Sequence, residues 1–286
     1  MTFDFRHPVI MERAPDPPIA ERRAVSAHLE ANVVDDADIV MAIAVADVYE
    51  RESERLVVRL DDVELAVDAI AAPHRGRLHI LKGVPTGRLV VDYHCTIVGT
   101  AVAPALSELE WFQYLRPSRY CESDRLGPLA RAQFAGLAGG DLLSGISNWV
   151  GVNVGYVPGS SRPIDGAVAT LLGREGVCRD FAHLTAALLR ANGIPARVVA
   201  VYAPGLEPMD FHAVVEACVD DAWVALDPTC LAPRGSMVRI ATGADAADTA
   251  FLTNLRGGLE LTGMAVTAVV SPKLPSDNIG DLVHLG

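Results

Sequence analysis

Between Val25 and Cys95, apolar and polar residues alternate in short runs, at 25–34, 39–46, 55–60, 63–71, 77–82 and 88–98. A period of two is the signature of a strand with one buried and one wet face. Asp35-Asp36, Asp61-Asp62 and the Pro- and Gly-containing stretches 73–76 and 85–87 separate the runs, and these residue types favour turns. Strands this short and this closely spaced predict a β-sandwich over residues 24–115. Ahead of it, residues 1–23 contain Pro15, Pro17 and Pro18, which discourage regular structure and predict a mobile arm.

Further along, the period lengthens. Apolar residues recur at helical spacing over 125–136, 141–154, 166–172 and 178–191, and alternation returns at 196–202, 211–219, 223–227 and 264–270. Helices followed by strands predict a second, α+β domain over residues 116–286. A chain of 286 residues exceeds the usual single core, which agrees with two domains. The formal charge of −12 leaves no basic stripe, so nucleic acid and anionic membranes are not expected partners. No run approaches the ~18 apolar residues of a spanning helix. Five cysteines without a Cys-x-x-Cys pair point to neither a disulfide framework nor a zinc site, and no glycine motif for a phosphate-bearing cofactor is present. No metal and no cofactor are expected. With no apolar leader at the N-terminus, a cytoplasmic, reducing location is expected. The pattern does not specify an oligomeric state.

Within the second domain one cysteine has a distinctive position. Cys178 stands where the loop 173–177 runs into the helical segment 178–191, which Gly193 and Pro195 stop. Unpaired N–H groups and the positive end of the helix dipole favour thiolate there. His212 lies on one predicted strand and Asp227 ends the next. If the two pair as a hairpin, the loop is 219–220, which sets His212 opposite Asp227, or 220–221, which sets them diagonally on one face. Either register keeps Val224 and Leu226 on the face of Ala213 and Val215, so the apolar pattern and the chemistry require the same pairing. Thiol, imidazole and carboxylate in this order suggest nucleophile, base and orienter. His183, five residues after Cys178, points away around the helix and is expected to pack in the core. Glu216, some 13 Å along the strand from His212, cannot orient that ring.

The segments Gly-Val-Cys178-Arg179-Asp180-Phe-Ala-His183-Leu, Gly-Ile-Pro-Ala-Arg197, Asp210-Phe-His212-Ala and Trp223-Val-Ala-Leu-Asp227-Pro-Thr229 resemble the bacterial transglutaminase-like family over roughly residues 110–275. The resemblance implies a papain-like cysteine fold after an N-terminal β-rich domain, with Cys178, His212 and Asp227 as a triad. It implies acyl transfer from an amide through a thioester, to water or an amine, on a peptide or small amide substrate. Val177 and Arg179 flank the thiol where animal members carry Gln and Trp, so calcium-activated cross-linking is not implied. The Cys178 backbone N–H is the expected first oxyanion donor; Tyr156, Trp149 and Asn148 are candidates for the second. Arg179 and Asp180 are candidates for facing substrate, and Asp180 also suits the first helical turn as a dipole partner. Two other readings stand beside amide chemistry: a binding or scaffold protein on an idle fold, and a specialised amide-forming or cyclising enzyme.

Overall fold

The computed structural model describes residues 22–101, 106–278 and 280–286. The arm expected at 1–23 lies outside the described residues, except for Arg22 and Arg23, which open the first strand. That strand, β1 (Arg22–Met41), carries the predicted alternation: Val25, Ala27, Leu29, Ala31 and Val33 are buried in a row. Along its first half it pairs with β6 (Gly87–Val98), setting Val25 against Cys95 and Ala27 against Tyr93. Along its second half it pairs with β5 (Arg77–Val84). β2 (Glu50–Leu60) and β3 (Val63–Glu64) extend one side of the sheet, and β4 (Asp68–Ala71) the other.

Two expectations are corrected here. The strand predicted at 264–270 is the end of a long strand, β13 (Leu252–Ser271), which pairs with β1 over almost its whole length and so belongs to the first sheet, not to the second domain. Val266 and Ala268 complete the buried row of Ala27 and Val25; chain order does not reveal that return. In place of a two-sheet sandwich, the seven strands form one sheet that curls over its own core. The curl follows a break in register between Glu30 and Ile39. Asp35-Asp36 marks a bulge inside β1, not the expected turn. Opposite it stands Gly257, at φ +79, where any Cβ would meet the Asp36 carbonyl oxygen at 1.9 Å; only glycine fits so close an approach.

The second domain follows the predicted order more closely. α1 (Glu108–Leu115), α2 (Ser123–Gln133), α3 (Gly139–Asn153), α4 (Ala167–Gly173) and α5 (Cys178–Ala191) precede β9 (Ala196–Tyr202), β10 (Phe211–Val219), β11 (Ala222–Leu226) and β12 (Val238–Gly243). Two short strands, β7 (Gly155–Tyr156) and β8 (Glu175–Gly176), pair in parallel just before α5, and α6 (Ala246–Thr249) follows β12. The last four long strands form an antiparallel sheet in the order β11-β10-β9-β12. α5 is the central helix. Phe181, Leu184, Leu188 and Leu189 share a core with Val198, Val215, Ala217, Val224 and Leu226 from the sheet, so the apolar face inferred for the hairpin is the one that meets the helix.

The domains share more than a linker. Ala200, Tyr202, Val238 and Ile240 of the second sheet are buried in the core of the first. Residues 42–46, read as strand from their alternation, run between the sheets instead, and side chains satisfy part of their backbone: Tyr202 donates to Ile43 O (2.7 Å) and Val45 N–H donates to Tyr93 Oη (3.0 Å). A polar cluster completes the joint. Glu216, wholly buried, accepts from Arg197 Nε (2.7 Å) and Arg239 Nη2 (2.6 Å). Arg197 lies over the Trp223 ring (3.7 Å) and beside His74 Nδ1 (3.2 Å) from the first domain. His74 also meets Glu110 (3.1 Å) and the Tyr114 hydroxyl.

Burial, then the Arg197 charge, lowers the His74 pKa from 6.5 to about 4. Between those values the unfolded chain binds the extra proton, so the stability contributed by neutral His74 is complete above about pH 6.5 and is lost as pH falls toward 4. Urea unfolding of wild type and His74→Gln should therefore give a stability gap that narrows between pH 7 and about 4.5. A gap independent of pH would contradict this role.

Candidate active site

α5 begins where the sequence places it because several groups hold its first turn. The Asp180 carboxylate accepts the Val177 N–H (2.9 Å), and a Cβ on Gly176 would lie 2.6 Å from that of Asp180. Asp180 is 1 % exposed; it caps the helix and does not face substrate. Arg179 is likewise engaged. Its Nη2 donates to Ser161 Oγ (2.5 Å), to the Arg162 carbonyl (2.6 Å) and, more loosely, to Asp180 Oδ1 (3.3 Å), tying the loop before α4 to the head of α5. Cys178, the first helical residue, keeps partial exposure.

β10 and β11 turn through Asp220-Asp221, both at positive φ (51° and 59°), the demand of a type I′ hairpin loop, which Asp tolerates. Val215 then opposes Leu226, the diagonal register of the two considered. His212 and Asp227 nonetheless bond, His212 Nε2 donating to Asp227 Oδ2 at 2.8 Å. β11 ends at Leu226, which frees Asp227 from the ladder to lean toward the ring. Its other oxygen, Oδ1, accepts from Thr229 N–H (3.0 Å) and Thr229 Oγ1 (2.6 Å). The carboxylate is thereby fixed at both ends, a use of Thr229 that the pattern alone did not suggest.

The His212 ring is 2 % exposed. Nδ1 is buried without a partner at full hydrogen-bond geometry. The Cys178 side chain is the remaining group that acts on the ring, by looser hydrogen bonding and by charge. Burial alone would push the imidazole pKa down; the Asp227 charge and hydrogen bond, with Cys178, outweigh it and raise it to about 10. His183 behaves oppositely. Fully buried, stacked on Tyr120 at 5.2 Å and accepting the Ala246 N–H, it has its pKa lowered by burial to about 3. Glu216 belongs to the joint between domains, as described above.

Of the expected oxyanion donors, Tyr156 is at the site and Trp149 is not. The pairing of β7 with β8 fixes Tyr156 alongside the residues that lead into Cys178. Burial, then the Cys178 charge, pushes its phenol pKa up to about 12, and the Cys178 backbone N–H acts on the hydroxyl in the opposite direction. Trp149 is used elsewhere, edge-on to Phe134 (6.1 Å) and under the Arg174 guanidinium (5.4 Å). Asn148 is exposed on α3. Beyond Asp227 the surface opens into a cavity of about 180 Å³, lined by Asp227, Cys230, Leu231, Ala232, Arg234 and Asp277 among others. Among the described residues no three His, Cys, Asp or Glu side chains gather as they would around a metal ion.

Residues 138–228 match the transglutaminase-like superfamily. An uncharacterized protein of Mycobacterium leprae is 29% identical over 137 residues, 44% of this chain and 48% of that protein. An uncharacterized protein of Mycobacterium tuberculosis H37Rv is 33% identical over 86 residues, 30% of this chain and 27% of its own length. The matches thus span about half or less of these curated relatives. Among solved structures, the chain is similar to one from Cytophaga hutchinsonii that bears the name Putative Cysteine Protease, with a TM-score of 0.82, 28% identity and coverage of 93% of this chain and 96% of that one. The periplasmic domain of TgpA from Pseudomonas aeruginosa aligns at a TM-score of 0.41 with 20% identity, over 73% of this chain and 88% of that one. With its central helix packed on an antiparallel sheet and its head at Cys178, the segment 138–228 is a transglutaminase-like domain.

Proposed function

We propose that this protein is a cysteine-dependent enzyme of amide bonds, a hydrolase or acyltransferase, in which Cys178 is the nucleophile, His212 the acid–base and Asp227 its orienter. The observation that carries the reading is the hydrogen bond of Asp227 to a buried His212 on whose ring Cys178 also acts. Asp227 holds the Nε2 proton of His212, and with its pKa raised to about 10 the ring also holds at Nδ1 the proton it takes from the Cys178 thiol. The sulfur then attacks an amide carbonyl carbon, and the carbonyl oxygen gains the negative charge. That oxygen takes the Cys178 N–H as one donor, and the Tyr156 phenol, kept protonated by its raised pKa, donates to it as the second member of the oxyanion site. When the C–N bond breaks, His212 gives its proton to the leaving amine. Water or a second amine, deprotonated by His212, attacks the thioester and returns the sulfur to its starting state. A cytoplasmic setting remains part of the proposal, because it keeps the five free thiols reduced.

Incubating a panel of peptides with and without a primary amine, and reading ammonia release, peptide cleavage and amine incorporation by mass spectrometry, separates hydrolysis from transfer. The expected result is turnover by wild type and none by Cys178→Ala. Equal turnover by the variant would overturn the assignment, and binding of a peptide without turnover by either protein would favour the scaffold reading.

A further inference from the structure

The cations near the thiol are already matched. Arg179 is held by Ser161, the Arg162 carbonyl and Asp180, and Arg162 by Asp165 (2.8 Å). Asp227 is committed to His212 and Thr229. Asp210 differs. It is exposed at the end of the loop 203–210, where the chain enters β10, and it makes no ion pair among the described residues. Its hydrogen bond comes from the N–H of its own neighbour, Phe211 (2.7 Å). It stands two residues before His212, directly ahead of β10. Its charge acts on both His212 and the Tyr156 hydroxyl, the two groups that border Cys178. One carboxylate without an ion pair among the described residues therefore stands near the site, on a chain of formal charge −12.

We propose that Asp210 selects the charge of the substrate, receiving an alkylammonium or guanidinium group beside the Cys178 thiol. The inference rests on Cys178 being the reactive thiol. Desolvation raises the Asp210 pKa, and at an exposed carboxylate pairing with a cation gives a modest, salt-sensitive preference. A carboxylate or sulfonate in the same place would meet repulsion from Asp210. Met209, 42% exposed next to it, offers apolar surface for the stem of such a side chain.

The test uses three methanethiosulfonate reagents that transfer the same kind of group to a thiol, bearing an ammonium (2-aminoethyl), a sulfonate (2-sulfonatoethyl) or no charge (methyl). Labelling rates at Cys178 are read by peptide mass spectrometry in the full chain at low salt. Wild type should prefer the cation over the anion. In Asp210→Asn that ratio should fall about fivefold or more, and Asp210→Lys should reverse it. Glu207→Gln, which removes an exposed charge from the same loop, should leave it nearly unchanged. If the neutral reagent labels Cys178 normally but the ratio is the same in wild type, Asp210→Asn and Asp210→Lys, the inference fails while the reactive thiol stands. If the neutral reagent does not label Cys178, the reactive thiol fails and the inference goes with it.

Discussion

Asp227→Asn is expected to lower turnover about 10⁴-fold at neutral pH while leaving the protein folded. The reason lies in how the carboxylate is held. Oδ1 accepts two donors from Thr229, at 3.0 and 2.6 Å, so an asparagine keeps its carbonyl oxygen there and turns its NH₂ toward His212. That NH₂ needs an acceptor, which forces the imidazole proton from Nε2 to Nδ1, the nitrogen left for Cys178. A ring protonated on that side cannot take the thiol proton. The support that raises the His212 pKa to about 10 is removed as well, since the Asp227 charge is the leading contribution opposing burial. Substrate-independent measurements serve equally: circular dichroism should match wild type while alkylation of Cys178 slows. Turnover within a factor of ten of wild type would remove Asp227 from its role.

Glu216→Gln should destabilise the protein by about 3–5 kcal/mol, the cost of leaving buried guanidinium groups without a counter-charge. Glu216 is fully buried between Arg197 and Arg239, themselves 1 % and 4 % exposed. Burial pushes its carboxyl pKa up, but Arg239 and Arg197 together hold it lower than usual. The loss is a large part of the 5–15 kcal/mol by which a protein of this kind is stable. It should also loosen the joint to the first domain, because Arg197 leans on His74 and the Arg239 backbone N–H donates to Tyr49 Oη (2.8 Å). Replacing all three residues with apolar ones of similar volume should recover much of the stability, because the ion pairs contribute little beyond their own desolvation. A denaturant midpoint for Glu216→Gln equal to wild type would refute this account of the joint.

The sequence was most legible where local chemistry and packing agree. α5 begins at Cys178 and ends before Gly193 as its apolar period and stop signals predict, and β9 and β10 span the predicted residues. The hairpin left two registers open, and the choice depended on backbone φ at Asp220 and Asp221, which tolerates either reading until the turn is built. Features formed by distant parts of the chain stayed hidden. β13 returns to β1 across more than two hundred residues, α1 with its capping Ser107 forms in a stretch assigned to the β domain, and β12 forms where no strand was predicted. Glu216 could be placed on a polar strand face, but its partners come from other strands and from the first domain, and no local pattern announces them. Arg179 and Asp180 looked available because they sit beside the thiol; the loop 157–166 and the helix cap engage them instead.

Exposure and activation make opposite forecasts for the five thiols. Cys230 is exposed, Cys178 only partly so, and Cys95, Cys121 and Cys218 are buried. Burial pushes the Cys230 pKa up, and the nearby Asp227 charge adds to it, so Cys230 serves as an accessible thiol without activation. Intact-protein mass spectrometry of iodoacetamide labelling near neutral pH, followed by peptide mapping, reads both. If a thiol at the head of α5 is activated by His212, Cys178 labels well ahead of Cys230 and loses that lead in His212→Ala. Labelling led by Cys230, or a fast Cys178 that is indifferent to the loss of His212, would contradict the central claim.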